Sequence, residues 1–137
     1  MATRTIGTQS AHDAAVRAAG QIYQQHGRSS WLNPDGEKNK SWSGRYIDVI
    51  VPSSAEQNSA WVIEVETDDS VSDAEAREQW RDYDQAYQQR WHLAVPARSA
   101  DRAKGLLTKY DIQHCTVITW TQNADGTHTF WGLPGLK

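Results

Sequence analysis

The sequence predicts an α/β domain built around a mixed sheet. Three observations carry that prediction. Short β-branched or alternating segments interleave with segments of helical spacing, in the order α, (β), β, β, α, β, α, β, β. The 137 residues suffice for one domain and contain no repeat or linker that would divide them, so residues 1–137 form a single domain. Hydrophobic residues make up 38% and charged residues 23%, too apolar for a disordered chain. The longest apolar runs, such as Ile47 to Val51, are strand-sized rather than membrane-spanning.

The elements follow in order. Ala11 to His26 is helical, with Ala15, Ala18, Ala19 and Ile22 on one stripe, Ser10 as N-cap and Gly27 as stop. Arg28 to Gly44 is polar and Gly-rich, a loop with a short strand near Trp31. Tyr46 to Val51 is a strand ended by Pro52, and Pro52 to Ser59 is turn-like. Ala60 to Thr67 is a second strand, with Trp61, Ile63 and Val65 on one face and Val62, Glu64 and Glu66 on the other. Ser72 and Glu75 form a capping box that opens a helix, whose face Ala76, Trp80, Tyr83 and Tyr87 runs to about Arg90. Trp91 to Val95 is a strand closed by Pro96. Ser99 caps a third helix with Ala103, Leu106, Leu107 and Tyr110 inward. His114 to Thr121 and Thr129 to Trp131 form a last strand pair around Asp125-Gly126.

The net charge of −3 hides an asymmetry. Residues 1–45 hold six Lys/Arg against three Asp/Glu, residues 46–90 three against eleven, and residues 91–137 five against three. An acidic middle between mildly basic flanks is unlike a polycationic nucleic-acid coat. One cysteine, Cys115, excludes an internal disulfide and a Cys-rich zinc site, and a small buried thiol is the default for it. The N-terminus carries no apolar signal segment, so a cytoplasmic protein without membrane contact is expected.

Three carboxylates fall where a core strand should be apolar: Asp48 within Tyr46 to Val51, and Glu64 and Glu66 on one face of the next strand. If the two strands pair, Asp48 meets the glutamates. Carboxylates gathered in an apolar surround are costly to desolvate and repel one another, and a divalent cation relieves both penalties. Oxygen donors suit Mg²⁺ or Mn²⁺. The competing reading is a solvated sheet face, which is ordinary for Glu64 and Glu66 but fits Asp48 poorly.

At these residues the chain resembles the PD-(D/E)XK nuclease superfamily, over roughly residues 10–120. Arg45-Tyr46-Ile47-Asp48 stands at its first motif and Ile63-Glu64-Val65-Glu66-Thr67 at its second. Gln79-Trp80-Arg81-Asp82-Tyr83 is similar to the Q-x-x-x-Y motif of RecB-like members. The resemblance implies a restriction-endonuclease-like αβββαβ core, a central mixed sheet flanked by helices. It also implies Mg²⁺- or Mn²⁺-dependent phosphodiester hydrolysis of DNA or RNA, as an endo- or exonuclease. In that reading Asp48 and Glu64 hold metal, Glu66 is a further ligand or base, Gln79 orients the site or contacts phosphate, and Tyr83 packs beneath or touches the backbone. Asp13 could stand at the family's first-helix acidic position or cap with Ser10. Two departures stand out. Ile47 replaces a proline that is not a ligand, and Glu66 replaces the lysine that positions attacking water in the family.

Positive charge must then come from outside the motif strands. Arg28, Lys38, Lys40 and Arg45, interleaved with Trp31 and Trp42, suit a nucleic-acid interface, as does Arg81 on the helix. The same aromatics suit a sheet cap or a protein interface, and Gln79 and Tyr83 suit solvent and core. The five histidines are scattered and read as structural or exposed. An alternative keeps the fold without catalysis: a domain that binds nucleic acid or a protein partner. An acid/base pair from Glu64 and Glu66 ranks last, since same-face neighbours cannot flank a bond from opposite sides. Small nuclease domains of this kind commonly act as homodimers or recruited modules, so either assembly is possible here.

Overall fold

The computed structural model describes residues 6–53 and 59–136. Six strands form one sheet in chain order: β1 (Trp31–Leu32), β2 (Val49–Pro52), β3 (Ala60–Val65), β4 (Trp91–Pro96), β5 (Thr116–Gln122) and β6 (His128–Trp131). The pairs β1–β2, β2–β3 and β5–β6 are antiparallel, while β3–β4 and β4–β5 are parallel. Each parallel step is bridged by helix, as a crossover requires. Between β3 and β4 lie α2 (Asp73–Glu75), a π turn (Ala76–Trp80) and α3 (Arg81–Tyr87). Between β4 and β5 lies α4 (Ala100–Lys109). The first helix, α1 (Ile6–Gln25), precedes the sheet in the chain. The mixed α/β architecture expected from the sequence is present.

Strand alternation divides the interior into two layers. Val62 of β3 joins Trp80, Tyr83 and Tyr87 and the α4 residues Ala103, Leu106 and Leu107 on one face. Ile63 and Val65 join Ala15, Val16, Ala19 and Tyr23 of α1 on the other. The buried stripe of α1 is rotated from the expected one: Val16 and Tyr23 are fully buried, whereas Ala18 and Ile22 are half-buried. Gly20 lets α1 lie against β1, where an added Cβ would come within 2.7 Å of Leu32 Cδ1.

Local signals were modified by tertiary contacts. The helix begins at Ile6, so Ser10 lies inside it and does not cap. β2 starts at Val49, which leaves Tyr46 to Asp48 outside the strand. The turn expected over Pro52 to Ser59 lies largely outside the described residues, though Ser53 N–H donates to Ser59 O at 3.0 Å across it. β3 ends at Val65, yet Glu66 N–H still donates to Ala94 O at 2.8 Å. Ser72 does cap α2, accepting from Glu75 N–H at 3.3 Å. Ser99 sits at the start of α4, but its hydroxyl donates to Asp68 rather than capping the helix.

Candidate metal centre and cleft

The loop before β2 is organised by one side chain. The buried Asn33 donates through Nδ2 to Lys40 O (2.8 Å) and Ile47 O (2.7 Å), and its Oδ1 accepts from the N–H groups of Asn39 and Lys40 (both 2.9 Å). Within this loop Trp42 and Arg45 bridge across Ser43 and Gly44, both at positive φ (52° and 77°). Two successive left-handed residues make the tight turn that matches strand twist. Arg45 is thereby aimed at α3, where its guanidinium donates to both Asp82 oxygens at 2.7 and 2.6 Å. That bidentate pair holds the Asp82 carboxyl below its usual range.

The loop up to Asp48, α1, the end of β3, the π turn and the start of α3 line a cleft of about 330 Å³. Asp48, Glu64, Gln79 and Tyr83 all line it, together with Lys38 and Arg45. Two carboxylates, one just before β2 and one on β3, and a glutamine and a tyrosine one helical turn apart therefore converge on one space. Asp48 Oδ2 accepts from Val65 N–H at 2.8 Å and lies 2.9 Å from His12 Nε2, while His12 Nδ1 lies 3.0 Å from Asp13 Oδ1. A buried imidazole thus bridges an acid from α1 and the acid that immediately precedes β2. Asp13 also accepts from Gln9 Nε2 at 3.0 Å.

Beneath the cleft lies a second acidic group. Glu64, Glu66 and Glu75 are all buried and each offers an oxygen within 4.8 Å of the others, a set able to hold a metal ion. Glu66 is fully enclosed, accepting from the Trp80 indole N–H and the Ser70 hydroxyl, both at 2.7 Å. With the Gln79 amide turned as its neighbours dictate, its nitrogen donates to Glu75 Oε2 (2.6 Å) and Glu64 Oε2 (3.2 Å). Its oxygen accepts from the Tyr83 hydroxyl at 3.0 Å. The π turn carries Gln79 and Trp80 together, so one irregular turn delivers a donor to Glu64 and another to Glu66. Burial, then the negative charges of Asp48 and Glu66, push the Glu64 carboxyl well above its usual range. Burial likewise raises the Tyr83 phenol, assisted by Glu64 and Asp48, so Tyr83 stays neutral.

The remaining sequence candidates are spread out. Arg28 Nε donates to Gly135 O at 2.8 Å, and its guanidinium lies over Trp61. Trp42 is half-buried against the core, and its carbonyl accepts from the Tyr87 hydroxyl at 2.6 Å. Arg81 is exposed and does not line the cleft. Trp31 and Tyr46 remain exposed, with Lys40 Nζ 4.6 Å from the Trp31 ring and Lys38 Nζ 5.7 Å from the Tyr46 ring. Sequence reasoning missed His12 and Glu75. His12 is isolated in the sequence because Asp48 lies 36 positions away, and there Glu75 shows only as half of a cap.

Fold and site together define an α/β domain with a cleft and a buried cluster of three glutamates able to hold a metal ion. No protein-family model, no curated protein and no solved structure matches the chain. Among the described residues no helix is long and apolar enough to cross a membrane.

Proposed function

We propose that the protein is a metal-dependent phosphodiesterase acting on nucleic acid, of the kind the PD-(D/E)XK resemblance implies. The observation that supports this reading is the convergence of Asp48 and Glu64 with Gln79 and Tyr83 on one cleft. The element order α1, β1, β2, β3, α2–α3, β4 is the order that the nuclease core would require. The donor set is all oxygen and Glu64 is buried among like charges, an arrangement suited to a hard divalent cation, Mg²⁺ or Mn²⁺. Glu64 is common to both acidic sets, with Asp48 on the cleft side and Glu66 and Glu75 beneath. When bound, such a cation lowers the pKa of its water and offsets phosphate charge.

The chain's own groups have distinct tasks in this reading. Asp48 and Glu64 present carboxylate oxygens. His12 and the Val65 N–H fix Asp48, and Gln79 fixes Glu64 while held by Tyr83. Lys38 supplies charge for phosphate at the cleft wall, whereas Arg45 is occupied by Asp82. Incubation with single- and double-stranded DNA and RNA in Mn²⁺ should give cleavage that Asp48→Ala and Glu64→Ala each abolish. Cleavage surviving both substitutions sinks the assignment.

One observation favours the non-catalytic alternative, a domain that binds nucleic acid or a protein partner. Glu66, at the position of the family's lysine, is enclosed between Trp80 and Ser70 rather than placed among the residues lining the cleft. No metal binding by calorimetry at millimolar Mn²⁺, with intact binding of an oligonucleotide or a partner, is the outcome that reading expects.

A further inference from the structure

We propose that the mouth of the cleft is a stacking platform for single-stranded nucleic acid, with Tyr46 as the side chain that takes a base. The identity of the ligand rests on the phosphodiesterase reading; the preference for an unpaired strand is additional to it. Tyr46 lines the cleft two residues before Asp48, yet its side chain is 45% exposed while Ile47 and Asp48 are buried.

Its backbone is held on both sides. The Trp42–Arg45 turn precedes it, with Arg45 tied to Asp82, and Asn33 Nδ2 binds the Ile47 carbonyl that follows. A ring on a backbone already fixed loses little freedom when a base lies on it. Lys38 Nζ lies over the Tyr46 ring, 5.7 Å from its centroid, so a base would take the face that Lys38 does not cover, and the Trp31–Lys40 pair repeats the combination at the outer strand β1. Aromatic faces joined to lysines suit a strand whose bases are unpaired, because stacking needs a base face that a duplex has already covered. The cleft itself is acidic: Glu37, Glu78 and Asp82 join Asp48 and Glu64 in lining it. One backbone led past Lys38 meets less of that repulsion than the two backbones of a duplex would.

Fluorescence anisotropy tests this with labelled oligo-dT, oligo-rU and a matched duplex, each of about twenty nucleotides, in Ca²⁺ at low salt. At least one single strand should bind roughly tenfold tighter than the duplex, and the preferred sugar identifies DNA or RNA. Tyr46→Ala should weaken single-strand binding by roughly tenfold, Tyr46→Phe should retain it, and duplex binding should stay unchanged. Because the side chain is exposed, both variants should melt with the parent. Duplex binding as tight as single-strand binding overturns the proposal, as does unchanged affinity in Tyr46→Ala. Tyr46-dependent single-strand binding without Mn²⁺-dependent cleavage removes only the hydrolytic reading. Asp48-dependent cleavage with a duplex preference removes only this one.

Discussion

The Trp80 indole donates to Glu66 Oε2 at 2.7 Å inside the protein, with neither side chain exposed. Glu66 stands where a lysine would be expected from the nuclease resemblance, and its surroundings are built to receive an acceptor. Two donors, Trp80 Nε1 and Ser70 Oγ, point at it. Glu66→Lys would therefore confront two donors with a donor, even though Glu64 and Glu75 lie near enough to pair with its ammonium. It should lower stability by about 2–4 kcal/mol, whereas Glu66→Gln, which keeps an acceptor oxygen, should cost about 1–2 kcal/mol. Urea unfolding separates the two. A lysine variant as stable as the parent would show that Trp80 and Ser70 do not select for an acceptor.

Asn33→Ala removes four hydrogen bonds from the loop that carries Lys38, Lys40 and Tyr46. A stability loss of about 2–4 kcal/mol is expected. Faster amide hydrogen exchange at Asn39 and Lys40, whose N–H groups donate to Asn33 Oδ1, should accompany it. Protection unchanged at those two amides would refute the role assigned to Asn33.

The protonation of Glu64 predicts how stability varies with pH. Its carboxyl titrates well above the usual 4.5 in the folded protein, because burial and the charges of Asp48 and Glu66 oppose ionisation. Above pH 4.5 the unfolded chain has released this proton and the folded protein still holds it. Glu64's contribution is thus full below that pH and declines as pH rises, until the folded carboxyl also ionises. Melting temperatures measured without divalent cation should fall across that window, and Glu64→Gln should flatten the slope. Equal slopes in the two proteins would contradict this account.

A divalent cation acts in the opposite direction. Mn²⁺ that binds only the folded protein should stabilise it by about 2.7 kcal/mol at a hundred times its dissociation constant, and more strongly as pH rises and Glu64 ionises. Thermal shift should register the gain. Glu75→Gln, which keeps a side chain that can accept from Gln79, should reduce it. If Glu75→Gln leaves the shift intact while Asp48→Ala removes it, the cation belongs to the Asp48 side of Glu64.

Much of this arrangement could be read from the chain, for physical reasons that differ by residue. The alternation of Trp61, Ile63 and Val65 against Val62, Glu64 and Glu66 fixes two faces, because strand side chains alternate whatever surrounds them. The spacing of Ala76, Trp80, Tyr83 and Tyr87 survives even a π turn, and all four are buried. Asp48 stood out because a charge among apolar neighbours needs a cause. His12 did not, since its partners come from its own helix and from a segment across the interior. Glu75 could be read as a cap, which it is through its N–H, but its carboxylate faces the acids only because the helix lies over β3. Tyr46 was assigned to a strand, and only the later start of β2 leaves it on the lip of the cleft.

The sheet's strands lie side by side in the order in which they occur in the chain. No later strand must be wedged between two earlier ones, so the structure can grow outward from β1 as synthesis proceeds. Among the described residues, every side chain lining the cleft comes from residues 9–83. The segment from β4 to β6 completes the layers behind the site and supplies none of the cleft wall. Substitutions in the two portions should therefore act differently: in the earlier one they change the cleft lining directly, in the later one they reach it only through the packing behind it.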